Sequence, residues 1–277
     1  MDKIWLKNYP AGVPHDVDPD QYRSAAHLLE EAMRKHAASP FSVCMERWMS
    51  YGELDRHSAA LGAWLQGQGL EPGARVAIML PNVPQFGVTM AAVLRAGYTC
   101  VNVNPLYTPR ELEHQLKDSG ATAIVILENF AHTLAEVVDH TNVKHVVMAS
   151  MGDMLGFWYG QWITFAVRHL AKMVPAYELP LTGGRQVTSF KKALAMGARR
   201  TLQPSQANHD SIAFLQYTGG TTGLSKGAVL THRNIIAATL QAEAWFTPAL
   251  SRVGDPTKSN SIAALPLYHI FALTLCL

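Results

Sequence analysis

Between Arg75 and Met148 short apolar runs take turns with amphipathic ones, and no other feature constrains the fold of this chain as tightly. The spacing predicts strand Arg75 to Leu80, helix Val83 to Arg95, strand Thr99 to Val103 and helix Pro109 to Asp118. Strand Thr122 to Leu127, helix His132 to Val138 and strand His145 to Met148 complete the series. Strands that alternate with helices are joined by right-handed crossovers, which build mostly parallel sheets with helices on both faces. The fold class is therefore α/β. Two helix starts are marked by capping boxes, Ser50-Tyr51-Gly52-Glu53 and Thr108-Pro109-Arg110-Glu111, the second with proline at the first helical position.

Around this series the chain divides into a first α/β portion (21–150), a helix with a connector (151–206) and a last portion (207–277). Ahead of it, Leu28, Leu29, Ala32, Met33 and His36 recur at helical spacing, and Phe41 to Met45 and Trp48-Met49 read as strands. Met154 to Val174 breaks the alternation. Trp158, Trp162, Ile163, Ala166, Leu170 and Met173 share one helical face, and Gln161, Thr164, Arg168 and Lys172 the other. The uncharged run Met154 to Val167 is too short to span a bilayer. Peripheral contact with a membrane through 154–174 is one reading; packing on the protein, or in an oligomer contact such as a homodimer, is the other. The segment Leu179 to Gln206 is rich in turn residues, with a short helix from Phe190 to Met196 and solvated charges. A buried strand is expected from Ser261 to Leu265.

The apolar run Ile212 to Leu215 leads into Tyr217-Thr218-Gly219-Gly220-Thr221-Thr222-Gly223-Leu224-Ser225-Lys226-Gly227, and a second strand follows from Ala228 to Leu230. Glycines admit close backbone approach, threonines bring hydroxyls and Lys226 brings a point charge, a set suited to nucleotide phosphates. It is not a Walker loop, because Leu224 and Ser225 separate Gly223 from Lys226 and no helix signal follows directly.

That order of residues, with Thr231-His232-Arg233-Asn234 after it, resembles the phosphate loop of the AMP-forming acyl-CoA synthetases and other adenylate-forming enzymes. Ser50-Tyr51-Gly52-Glu53-Leu54 and the passage from Leu94 to Pro105 match further motifs of that family. Asn104-Pro105-Leu106-Tyr107-Thr108-Pro109-Arg110-Glu111-Leu112 narrows the resemblance to bacterial long-chain fatty-acid CoA ligases. The fold implied is part of the large amino-terminal domain of an adenylate-forming enzyme. The activity implied joins a fatty acid to CoA through an acyl-adenylate, with ATP and CoA as co-substrates and Mg²⁺ on the phosphates.

By resemblance, Tyr217, Thr218, Gly219, Gly220, Thr221, Thr222, Gly223, Lys226 and Gly227 form the nucleotide site, and Thr218 is the metal ligand. Lys226 and His269 are the catalytic positions, and Tyr268, His269 and Phe271 line the acid pocket. Two positions depart from the family pattern. Gly219 stands where many relatives carry a hydroxyl residue, and Ser225 where proline is frequent.

Composition removes other classes. A net charge of +2 without a basic stripe gives no reason to expect nucleic acid. Cys44, Cys100 and Cys276 lack metal-ligand spacing and fit reduced thiols of a cytoplasmic protein, and the stretch from Met1 to Lys7 holds no signal-peptide core. Gly-x-Ser-x-Gly is absent, so hydrolase chemistry has no support. The apolar stretch Ile262 to Leu277 reads as the interior of a larger domain. The carboxy-terminal domain and the family's later motifs are expected beyond it, leaving this piece inactive alone. Two alternatives remain: a ligase for an aromatic or shorter acid, and a truncated non-catalytic protein that binds nucleotide or membrane.

Overall fold

The computed structural model describes residues 3–218, 225–252 and 260–276. A helix α1 (Ala25–Lys35) precedes a two-stranded antiparallel ribbon, β1 (Pro40–Cys44) with β2 (Arg47–Ser50). Then come α2 (Tyr51–Gln66), β3 (Arg75–Met79), α3 (Pro84–Arg95), β4 (Thr99–Asn102), α4 (Pro109–Ser119), β5 (Ala123–Leu127), α5 (Ala131–Val137) and β6 (His145–Ala149). The chain continues through α6 (Phe157–Phe165), β7 (Gln186–Ser189), α7 (Phe190–Gly197), β8 (Ile212–Thr218), β9 (Lys226–Thr231), α8 (His232–Leu250) and α9 (Ile270–Cys276).

The main sheet has seven strands in the order β7-β6-β5-β3-β4-β8-β9. All its pairings are parallel except β8 with β9. Strand residues alternate between two cores, as a sheet covered on both faces requires. Val76, Ile78, Cys100, Val125 and Val147 pack on the side of α1, α2, α3 and α7. Ala77, Met79, Val101, Ile124 and Val146 pack on the side of α4 and α5. Both capping boxes form as read, Ser50 with Glu53 and Thr108 with Glu111, and Thr231 with Asn234 makes a third. Helix α3 is buried along its whole length.

One feature of the topology places the site. The helix after β3 crosses to one face and the helix after β4 to the other, while β3 and β4 are neighbours. In open α/β sheets such a switch leaves a crevice outside the carboxyl ends of the two strands.

Three expectations about elements change. Strand β7 lies inside the segment read as connector; it is a four-residue edge strand among turn residues, too short to give a periodic signal. Residues 261–265 are exposed and irregular rather than a buried strand, because the Ala263 and Leu265 carbonyls accept bonds from the Asn82 side chain instead of from a ladder. In the 154–174 region α6 runs into a π-helical turn, Ala166–Leu170, and its faces are not divided as the spacing suggested. The buried residues of α6 are Gly160 and Thr164. A Cβ on Gly160 would lie 2.1 Å from the Gly152 carbonyl oxygen, so the helix docks by direct backbone contact and turns its rings outward. Trp158 is 83% exposed and Trp162 55%.

Candidate functional site

β8 runs parallel beside β4 and ends at Thr218, on the edge of the sheet where the carboxyl ends of β3 and β4 leave their crevice. β9 returns antiparallel, with Thr218 opposite Lys226 and Tyr217 opposite Gly227. The hairpin thereby sets the predicted metal position and the predicted phosphate cation on either side of the loop's mouth. Both are exposed. Gly219, Gly220, Thr221, Thr222 and Gly223 lie outside the described residues.

Helix α4 grips both strands of the hairpin. The Tyr217 hydroxyl donates to Asp118 Oδ2 at 2.5 Å, and His114 Nε2 lies 2.9 Å from the Ser225 carbonyl oxygen. Burial, and then the adjacent Asp118 carboxylate, push the Tyr217 phenol well above its ordinary range. Tyr217 is thus neutral and engaged in the fold, which leaves its backbone, not its hydroxyl, for a phosphate. Gly227 is required for this arrangement: a Cβ there would sit 2.9 Å from two carbons of the Tyr217 ring.

The segment expected to line the acid pocket is tied to the same strand. Gln216 Nε2 donates to the Tyr268 carbonyl at 2.8 Å. Tyr268 packs partly buried against the core, while His269 is exposed at the start of α9, its Nδ1 facing the Phe271 amide at 3.4 Å. His269 is therefore not a buried core histidine. Phe271 is 55% exposed and borders a groove formed by Tyr9, His15, Val17, Gln241 and Trp245. Tyr217, Thr218, Lys226, Gly227, Tyr268 and His269 are thus assembled around the end of β8, and Phe271 stands on the α8 side.

Reading for motifs passed over the residues that do the assembling: Asn82, Gln216, His114 and Asp118. The signal was present for Gln216, a polar residue inside the apolar strand Ala213 to Tyr217, since a buried amide there must find partners. His232 is 1% exposed, and its Nδ1 accepts the Ala25 amide at 3.1 Å, joining α8 to α1.

The profile of the AMP-binding enzyme family matches residues 29–277. The chain belongs to this family. Its relatives include the long-chain-fatty-acid–CoA ligase of Salmonella typhimurium, 48% identical over 99% of this chain and 48% of the relative. The enzyme of the same name from Bacillus subtilis is 30% identical over 98% of the chain and 47% of the relative. Rice 4-coumarate–CoA ligase 5 is 27% identical over 94% and 42%. The chain thus spans about half the length of the curated relatives it matches. Among solved structures, a long-chain-fatty-acid-CoA ligase from Archaeoglobus fulgidus superposes with a TM-score of 0.67 at 22% identity, covering 97% of this chain and 47% of that one. That likeness shows the α/β fold of the AMP-binding family, as the parallel sheet predicted.

Proposed function

We propose that this chain supplies the phosphate-binding and acid-binding half-site of an AMP-forming ligase that joins a long-chain fatty acid to CoA. The observation that supports the reading is the pairing of Thr218 with Lys226 at the end of the strand beside β4, with the Tyr268 carbonyl bonded to Gln216 of the same strand. Identity of 48% to a long-chain enzyme, against 27% to a coumarate enzyme, favours the long acyl substrate.

In this reading a carboxylate oxygen of the fatty acid attacks the α-phosphorus of ATP, and the bond to the bridging oxygen breaks to release pyrophosphate. The CoA thiolate then attacks the acyl carbon and AMP departs. Two anions must meet, so the protein's task is to orient them and to stabilise phosphate charge. Lys226 stabilises the β- and γ-phosphates together with the loop glycines and threonines. His269 lies beside the acid's carboxylate, with Tyr268 as an apolar wall and the Phe271 groove on the α8 side as the path for the chain beyond it. Among the described residues no three His, Cys, Asp or Glu side chains group together. A site made of the Thr218 hydroxyl and phosphate oxygens is one that Mg²⁺ accepts, since it keeps few protein ligands. When bound there, Mg²⁺ would neutralise part of the phosphate charge. In the full-length protein palmitate with ATP is expected to raise the melting temperature and coumarate is not; stabilisation by coumarate alone would favour the aromatic-acid alternative.

The outward rings of α6 support contact with a membrane surface. Phe157, Trp158, Trp162, Phe165, Leu170 and Met173 are exposed on one short segment that also carries Arg168 and Lys172. Among the described residues no helix is long and apolar enough to cross a membrane, so the segment would lie in the interface. The Glu128 carboxylate, nearly fully buried, holds Arg168 through Nε at 2.8 Å and Nη2 at 2.6 Å and fixes the segment's orientation. Replacing Trp158 and Trp162 by serine is expected to reduce co-sedimentation with anionic vesicles severalfold, while activity on a soluble short acid stays the same. Unchanged vesicle binding with an altered sedimentation coefficient would make this face a homodimer contact instead.

A further inference from the structure

Residues 260–269 carry the His269 motif, yet they belong to neither the sheet nor a helix. Among the described residues, two amide side chains make all the hydrogen bonds that tie this stretch to the chain before it. Asn82 Nδ2 donates to the Ala263 carbonyl at 2.7 Å and the Leu265 carbonyl at 2.8 Å, and its Oδ1 accepts the Leu267 amide at 2.8 Å. Gln216 Nε2 holds the Tyr268 carbonyl from the other side.

Gln216 is itself held. It is 4% exposed, and its Oε1 accepts from Asn102 Nδ2 at 3.1 Å. Asn102 sits opposite Gln216 in the parallel β4 and β8 pair and is 2% exposed, and its own carbonyl accepts from Gln115 Nε2 of α4 at 2.8 Å. A buried amide gains most where its polar atoms are paired; the Gln216 oxygen and nitrogen both are, whereas Asn102 Oδ1 and Gln115 Oε1 find no partner among the described residues. The line Gln115, Asn102, Gln216, Tyr268 therefore runs from the helix that grips the phosphate hairpin to the residue before His269. Both ends of it meet parts that the proposed reaction must bring to within attack distance.

We propose that Gln216 and Asn82 are positioning residues that set the distance between the acid-binding segment and the phosphate loop. The inference rests on the ligase reading above. Gln216 lies two residues before Thr218 in the same strand, so a shift of the Tyr268 carbonyl relative to Gln216 is a shift of the carboxylate site relative to the phosphates. An amide is the side chain this job requires, since it accepts from Asn102 and donates to Tyr268 at once. Displacement of a reacting group by an ångström costs on the order of a hundredfold in rate.

The test uses the full-length protein with Gln216→Met, Asn82→Ala and His269→Ala, alone and with Gln216→Met and His269→Ala combined. Fatty-acid-dependent exchange between pyrophosphate and ATP is measured against both substrates. Gln216→Met is expected to lower kcat/KM for the fatty acid roughly ten- to a hundredfold while KM for ATP stays within about threefold. Added to His269→Ala, it is expected to cost little more, because both act on one element. Amide exchange in 260–269 is expected to speed up in Gln216→Met and Asn82→Ala, and that in β4 to stay as it was. A parallel rise in KM for ATP, additive losses in the double variant, or unchanged amide exchange in 260–269 would overturn the positioning role. Absence of exchange activity in the unaltered protein with any acid would instead overturn the ligase reading, and the amide-exchange result would still decide whether Gln216 and Asn82 fasten the segment.

Discussion

Lys226→Ala in the full-length protein is expected to slow fatty-acid-dependent exchange between pyrophosphate and ATP by roughly a hundred- to a thousandfold, the range for losing one charged contact made in the transition state. The hairpin leaves Lys226 exposed at the mouth of the loop, opposite Thr218, where its ammonium can follow phosphate charge as the bond to pyrophosphate breaks. Its methylene stem contributes little to the core, so the melting temperature of the unliganded protein should hardly change. A loss confined to KM for ATP would mean that Lys226 binds substrate and transition state equally. Normal exchange would remove it from the phosphate site.

His232 predicts a second large effect, on stability against pH. Burial, and then the neighbouring His209, depress its pKa from 6.5 to about 4. Between these values the unfolded chain binds a proton that the folded chain does not, so stability rises with pH across that window. The contribution is complete above about pH 6.5 and is lost as pH falls toward 4, and it amounts to about 3 kcal/mol. His232→Asn keeps an acceptor for the Ala25 amide without the titration. Its stability should therefore fall less between pH 6.5 and 4.5 than that of the unaltered protein. Parallel profiles in urea unfolding would show that His232 titrates normally. The other buried groups near the site follow the same logic: Cys100 is fully buried and its thiol is pushed well up, which fits an inert core residue.

Strands β3 to β6 and β8 were legible because they are buried along most of their length, so each carried its own apolar signal, unlike the exposed edge strand β7. Ser50 with Glu53 and Thr108 with Glu111 fixed two helix starts to the residue. Strand order was not legible, since nothing in β4 or β8 alone says that they are neighbours; that pairing brings Asn102 to Gln216. The apolar spacing of α6 left two readings open, rings outward on a membrane or packed on protein, and it divided the helix into an aromatic and a polar face. Gly160 overturns that division, because a backbone contact at Gly152 needs the smallest residue inside and leaves the tryptophans outside. The expected strand at 261–265 failed for a related reason: an apolar run shows only that burial is favourable, and here a single side chain, Asn82, takes its carbonyls first. Motif reading names the groups proposed for the ligands, and it passes over the buried amides Asn102 and Gln216 that bond the strands and the Tyr268 carbonyl together.

The central claim is that this chain's loop and its His269 segment serve a carboxylate and ATP together. The most direct measurement is exchange of labelled pyrophosphate into ATP by the full-length protein, with and without palmitate. Exchange that requires palmitate and is lost in Lys226→Ala is the predicted result. Exchange with no acid present, or none with any acid, would contradict the account and leave the loop a phosphate site serving some other purpose.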